Sequence, residues 1–230
     1  MKVSIIIPTY NEEGNIGPLI RHLQENDEGS IAEIIVCDGG SNDDTVSIAQ
    51  QEGATVINAL KKSRAIQMNH GARSATGDLF YFVHADTLPP QRFLRDIKKA
   101  HQEKYNLGRY KTKFDSDKKI LKLNAWFTRF DLFICMGGDQ TLFVEKNIFE
   151  ACDGFNEEML IMEDYEFCAR ARKLGRYKIL DGEVLISARK YASNSWLQVQ
   201  LANSKIVRMY KRGASQLEMF NMYRQMINVK

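Results

Sequence analysis

The sequence predicts an α/β fold: a Rossmann-like domain with a mostly parallel central sheet, flanking helices and a C-terminal helical extension. Three observations carry this. Short apolar runs alternate four times with segments of helical spacing in the first hundred residues, the pattern of a parallel sheet covered on both faces. Three of the runs end in polar, turn-forming or acidic stretches: "PTYNEE", "CDGGSNDDT" and "HADT". In such sheets the carboxyl ends of the strands form one rim, and ligands bind there.

"KVSIII" is a β-branched strand broken by "PTYNEEGN". Ile16, Leu19, Ile20 and Leu23 then recur at helical spacing, with Asn11 placed to cap that helix. "EIIVC" is the second strand, Thr45, Val46 and Ala49 mark a helix, "TVIN" is the third strand, and 64–76 is helical. The fourth strand opens "LFYFVHADTLPPQRF", and 90–103 is helical. After residue 105 the alternation fails. "RYKTKFDS" reads as a strand, and "KKILKLNAWFTRF" as an amphipathic helix with Leu123, Phe127, Phe130 and Ile134 on one face. "GGDQTLFVEKNIFEACDGF" reads as turn, strand, helix and turn, and "MEDYEFCARARKLG" as a helix closed by Gly175. The aromatics Trp126, Phe127, Phe130 and Phe133 are expected in the core, with a lipid-facing surface as the alternative.

No linker, low-complexity segment or repeat interrupts the chain. The expected organisation is one domain over 1–190, with a basic helical extension over 191–230 packed on it. A composition of 44% hydrophobic and 27% charged residues suits an ordinary soluble domain. No run approaches the about 18 apolar residues of a membrane span. "MKVSIIIPTYNEE" turns polar too soon for a secretory signal, so a cytoplasmic location is expected. Cys37, Cys135, Cys152 and Cys168 form no C-x-x-C pair and lie in or beside apolar stretches, as reduced, buried thiols do. The net charge of +3 hides an asymmetry: residues 185–230 carry eight basic residues and one acid, Glu218. A basic tail on an acidic body suits an anionic partner, or else a solvated helix face.

Asp38 follows an apolar strand and precedes Gly39 and Gly40. A carboxylate there can accept hydrogen bonds from a base or ribose, and glycine permits close approach; the alternative is a tight turn with a helix cap. Asp86 ends the fourth strand. It suits a hard divalent cation that draws its other ligands from a substrate diphosphate, or it caps the helix after Pro89 and Pro90. Glu163 and Asp164 open a helix, where the dipole favours acids and where a cleft-facing carboxylate can act as a general base. Arg170 and Arg172 are expected to pair with acids on the helix surface or to serve a phosphate. The sequence lacks G-x-G-x-x-G, G-x-x-x-x-G-K-[ST] and G-x-S-x-G, which counts against a dinucleotide dehydrogenase, a P-loop NTPase and an α/β-hydrolase.

Taken in order, "SIIIPTYNEEGNI", "IIVCDGGSNDDT", "GARSATGDLFYFVHADT", "GDQTLFVEKNIFEACDGF" and "MEDYEFCARARKLG" resemble the family 2 glycosyltransferases of the GT-A fold. "GGDQ", "SRAIQMNHGA" and "SARK" look like a soluble, mostly bacterial subgroup. The resemblance implies that Pro8, Thr9, Tyr10 and Glu12 form the loop that holds the nucleotide base, and that Asp38, beside Gly39, recognises it. Arg64 and Asn69 would frame the nucleotide. His84-Ala85-Asp86 stands at the family's D-x-D, with Asp86 nearest the metal and His84 a departure from the pattern. Asp164 matches the catalytic base, Asp139, Gln140 and Glu163 would face the acceptor, and Arg189 would hold the departing diphosphate.

The implied activity is inverting transfer of a sugar from a nucleoside-diphosphate sugar, most commonly UDP-linked, to an acceptor hydroxyl, assisted by Mg²⁺ or Mn²⁺. The acceptor would be a glycan or a lipid-linked molecule, with no nucleic acid involved. One alternative is a sugar-1-phosphate nucleotidyltransferase, whose Gly-rich phosphate loop and lysine "IIIPTYNEE" lacks. Another is a non-catalytic nucleotide-sugar binding protein, with His84 marking a decayed site. From Leu185 to Leu217 six basic residues and no acid are interspersed with Trp196, Leu197 and Tyr210. That segment either lies peripherally on anionic lipid at the inner face of a membrane or packs on the core and closes the acceptor cleft.

Overall fold

The computed structural model describes residues 1–59, 61–133 and 140–228. Its first half is the expected β-α alternation. Strands β1 (Val3–Thr9), β2 (Ile31–Asp38), β3 (Thr55–Asn58) and β4 (Leu79–Phe82) pair in parallel in the order β3-β2-β1-β4. Helices α1 (Glu13–Glu25), α2 (Thr45–Gln51) and α3 (Arg64–Ser74) connect them. Because side chains alternate along a strand, Ile5 and Ile7 of β1 join the core under α1, while Ile6 joins the core under α3. Gly71 is what lets α3 sit so close: a Cβ there would collide with Ile6 and Cys37.

The second half extends the same sheet in mixed directions. A two-residue strand β5 (Thr87–Leu88) and helix α4 (Phe93–Gln102) lead to β6 (Leu107–Phe114), α5 (Lys119–Phe127), β7 (Leu142–Glu145) and α6 (Lys146–Ala151). Then come α7 (Glu163–Ala171), β8 (Tyr177–Ile186), α8 (Lys190–Ser193), α9 (Trp196–Lys211) and α10 (Gln216–Met226). The eight strands run β3-β2-β1-β4-β7-β6-β8-β5. Strand β7 is antiparallel to β4 and β6, β5 is antiparallel to β8, and β6 is parallel to β8. Four of the seven pairings are therefore parallel.

Four local expectations change. Asn11 does not cap α1. It sits at φ 54°, its backbone N–H donates to Ser41 Oγ at 2.8 Å, and its side-chain oxygen accepts from Asn42 N at 2.9 Å. It stitches the β1 loop to the β2 loop, and Glu12 takes the capping position. Asp86 is not a cap either, because α4 begins at Phe93 after Arg92. Helix α7 ends at Ala171, and Gly175 closes the following turn by donating to the Ala171 carbonyl. The fourth change concerns the aromatics of α5. Trp126, Phe127 and Phe130 are exposed, and only Phe133 packs inward, against Tyr165 and Tyr210. The face that α5 turns to β6 is the narrow one, with buried Leu121 and with Thr128, whose hydroxyl accepts from Thr112 N at 3.0 Å. With Leu121 and Thr128 on the sheet side, the aromatics lie on the outer side. Ile134, expected on the same face, lies outside the described residues.

The C-terminal helices pack rather than dangle. Ile206, Val207 and Met219 form one cluster with Met159, Met162 and Tyr165, and Ser215 with Glu218 completes a capping box at the start of α10. Cys37, Cys152 and Cys168 are buried free thiols, and burial pushes the Cys37 and Cys168 thiols up to about 12. Cys135 is outside the described residues. No helix among the described residues is long and apolar enough to cross a membrane.

Candidate active site

The rim at the carboxyl ends of β1, β2 and β4 collects most of the expected donor residues. Thr9 and Asp38 end adjacent strands as register partners. Asp38 is almost wholly buried, and its carboxylate accepts from Gly40 N at 2.8 Å, Ser41 N at 2.7 Å and the Ser41 and Thr9 hydroxyls. Asp38 thus holds the "GGSN" loop in shape. Gly39 donates to the Thr9 carbonyl at 2.9 Å, and a Cβ on it would crowd Gln67 and that carbonyl. Pro8 is buried in β1 just beneath this loop, and Tyr10 lies at the edge with the Lys62 ammonium 3.2 Å from its ring centroid.

Glu12, Asp86 and Arg189 come together although 177 residues separate the first from the last. The Arg189 guanidinium donates to both oxygens of Glu12, at 2.9 and 2.5 Å, and lies 3.1 Å from Asp86 Oδ2. A short pairing sets this up: Thr87 and Leu88 of β5 pair with Ile186 and Leu185 of β8, and Ser187 N donates to the Asp86 carbonyl at 3.1 Å. His84 and Ala85 are buried just before Asp86. The donor set suits a hard divalent cation in one way only. No group of three or more His, Cys, Asp or Glu side chains with metal-ligand geometry occurs among the described residues. Asp86 with Glu12 beside it offers carboxylate oxygens, and a substrate diphosphate would complete the shell.

Helix α7 begins under strain. Met162, its N-cap, is at φ 69°, a left-handed conformation costly for a side chain of that size and concentrated at functional sites. It delivers Glu163 and Asp164 into the first turn. Glu163 is buried and lies 3.8 Å from the Arg64 guanidinium at the start of α3. Asp164 and Gln140 line a cavity of about 20 Å³ together with Arg109, Thr141, Leu142, Cys168 and Tyr177, room for a single water. Asp139 is outside the described residues.

Asn69 is placed otherwise than expected. Its amide donates to the Phe155 carbonyl at 2.8 Å and Glu157 at 3.0 Å and accepts from Phe155 N at 2.9 Å. Both donors pin the "DGFNEE" loop to α3, so in this structure it acts as a latch between the two. Arg170 likewise pairs with Glu166 and the Gly154 carbonyl, and Arg172 with Asp131 at 2.7 Å and the Tyr177 ring. Two contributors went unread in the sequence. Gln67, buried in α3, donates to the Thr9 and Cys37 carbonyls at 2.6 and 2.8 Å and clamps the ends of β1 and β2. A polar residue on the inward face of "RAIQMNHGA" was the available signal. Lys62, over Tyr10, sits in an ordinary charged loop that gave none.

Residues 4–160 match the family model for glycosyl transferase family 2. The chain belongs to that family. Relatives include an uncharacterized glycosyltransferase, YfnE, of Bacillus subtilis (strain 168), 31% identical over 46% of this chain and 29% of the relative. A dolichol-phosphate mannosyltransferase of Pyrococcus furiosus is 34% identical over 44% of this chain and 30% of the relative. An undecaprenyl-phosphate 4-deoxy-4-formamido-L-arabinose transferase of Enterobacter sp. (strain 638) is 33% identical over 44% and 34%. The matches span only about a third of the length of these curated relatives. Among solved structures, mannosyltransferase PcManGT from Pyrobaculum calidifontis, in complex with GDP-Man and Mn²⁺, superposes with TM-score 0.69 at 19% identity, covering 92% of this chain and 64% of that one. S. aureus TarS 1-349 in complex with UDP-GlcNAc gives 0.67 at 18% identity, covering 98% and 71%. The expected GT-A fold is confirmed by this likeness.

Proposed function

We propose that this protein is an inverting glycosyltransferase that moves a sugar from a nucleoside-diphosphate sugar to an acceptor hydroxyl, with Asp164 as general base. The observation that carries the reading is the Arg189 guanidinium held between Glu12 and Asp86 at the strand-end rim. A cation fixed beside strand-end carboxylates meets the two demands of a diphosphate leaving group: a counter-charge and acids able to share a metal ion. Neighbours solved with UDP-GlcNAc and with GDP-Man support a nucleotide sugar as donor. The relatives named for dolichol-phosphate and undecaprenyl-phosphate support a lipid-linked acceptor over a free glycan.

Asp164 takes the proton of the acceptor hydroxyl as that oxygen attacks the anomeric carbon. The bond to the diphosphate breaks on the opposite side, so the configuration inverts. Arg189 meets the charge that grows on the departing phosphate. Glu163, fixed by Arg64, shapes the acceptor side, and Gln140 lines the Asp164 cavity. Mg²⁺ or Mn²⁺, held by Asp86 and the diphosphate, would supply further neutralisation of that charge.

The test pairs binding with turnover. Thermal shifts with UDP, GDP, dTDP, CMP and NADH, each with and without Mn²⁺, should show stabilisation by one nucleoside diphosphate, larger with metal. Asp164→Asn should keep that shift and abolish release of the diphosphate. A protein that responds to no diphosphate, or to NADH alone, refutes the reading. Loss of donor binding in Asp164→Asn refutes a purely catalytic role.

A further inference from the structure

Helix α5 and the turn after it carry an exposed aromatic surface to which the proposed transfer gives no role. Leu123, Trp126, Phe127, Phe130 and Leu132 are 38 to 56% exposed. Trp126 packs edge-on against Phe127 and Phe130, with centroids 5.2 and 4.9 Å away, and the Arg129 guanidinium lies 5.0 Å from its ring. The aromatics therefore form one solvent-facing cluster instead of three scattered side chains. Lys118, Lys119, Lys122 and Arg129 are exposed around it; Asp117 lies 3.5 Å from Lys122, and Asp131 is paired with Arg172, so the cations outnumber the acids. The start of α5 shares a cavity of about 320 Å³ with Trp196 at the start of α9. Along α9, Leu197 and Leu201 are half exposed, and Lys205 and Arg208 follow at helical spacing.

We infer that α5 is a docking surface for an anionic lipid bilayer. Charge and apolarity together select that occupant. A second copy of the chain would bring four cations against four like charges. A saccharide would need an open ring face, and those of Trp126 are crowded by Arg129, Phe127 and Phe130. A bilayer interface accepts indole and phenyl rings at the headgroup level while its anionic lipids neutralise the surrounding Lys and Arg. The inference centres the membrane contact on α5 rather than on the basic C-terminal segment, where Val199, Ala202, Ile206 and Val207 are consumed by packing. It stands independently of sugar transfer.

The experiment is vesicle flotation of the full chain. One lipid mixture is phosphatidylcholine alone; the other adds phosphatidylglycerol. The chain should float only with the anionic lipid, and salt should weaken it. Trp126→Ser/Phe130→Ser and Lys119→Glu/Lys122→Glu should each cut partitioning by about tenfold or more. These side chains are exposed, so the thermal response to nucleoside diphosphate should persist in both variants and report an intact fold. In a Trp196→Phe background, Trp126 is the sole indole, and its emission should shift to the blue on anionic vesicles. The inference is overturned by absence of flotation at low salt, or by partitioning that survives both pairs of substitutions. A Lys205→Glu/Arg208→Glu variant that alone abolishes flotation, or a solution dimer that Trp126→Ser disrupts in a chain that does not float, overturns it as well. Failure here with an intact nucleotide response leaves the transferase reading standing, and the reverse result separates the two equally well.

Discussion

Replacing Arg189 by alanine should move metal affinity and turnover in opposite directions. One guanidinium nitrogen is 2.5 Å from Glu12 and 3.1 Å from Asp86, and the side chains of those acids are only 12% and 17% exposed. At about 3 Å and an effective dielectric constant of about 20, each attraction is worth roughly 5 kcal/mol before screening. Arg189 is itself 54% exposed, so water reduces the net figure to about 1 kcal/mol. A divalent cation entering between these acids has to displace that interaction. Without nucleotide, Arg189→Ala should therefore bind Mn²⁺ about fivefold more tightly, the equivalent of about 1 kcal/mol. With donor present the sign reverses: the counter-charge to the leaving diphosphate is gone, and turnover should fall about 100- to 1,000-fold. Arg189→Lys should lie between, because it keeps the charge and loses the two-pronged geometry. Calorimetric Mn²⁺ titration and nucleoside-diphosphate release measure the two quantities. Unchanged Mn²⁺ affinity together with unchanged turnover would refute the reasoning.

Three further outcomes follow from the geometry. Asn69→Ala should destabilise the fold by about 2–3 kcal/mol in urea denaturation, since it strands the Phe155 backbone groups, yet leave nucleotide affinity unaltered. Gly108→Ala should fail to yield folded protein, because its Cβ would fall on the Lys178 carbonyl and the Phe143 ring between β6, β7 and β8. Acid should erode stability through Glu33 and Glu157. Burial opposes ionisation of Glu33, but hydrogen bonds from Ser4, Thr76 and the Gly77 backbone outweigh it; for Glu157 the Asn69 hydrogen bond leads, followed by Arg73. Both folded values lie below 4.5, so their contribution is complete above that pH and lost as pH falls through the folded values. Melting temperature should fall on that limb, and Glu33→Gln/Glu157→Gln should flatten it.

What the sequence made legible was local periodicity. The strands from Val3 to Phe82 and their helices could be read because each buries a face of its own, and "TVIN" matches β3 residue for residue. The strand-end acids were legible for the same reason, since a strand's end is a local event. What stayed hidden depended on partners far along the chain. Nothing in "HADTLPP" signals that Thr87 and Leu88 form a strand, because two residues acquire that identity only by pairing with β8. The spent state of the Asn69 amide depends on Phe155 and Glu157, more than eighty residues away. The aromatics of α5 misled because an apolar stripe fixes which side is apolar, while Leu121 and Thr128 decide which side faces the sheet.

The two-residue pairing of β5 with β8 has a consequence for how the protein is made. Glu12 and Asp86 are synthesised early, but their guanidinium partner emerges from the ribosome only after Ile186 has been added and can close the ladder. A chain that ends before this point holds the two carboxylates with no Arg189 between them. Under the transferase reading, the guanidinium that would meet the diphosphate thus joins these carboxylates only once β8 is in place, a late step in the making of the site.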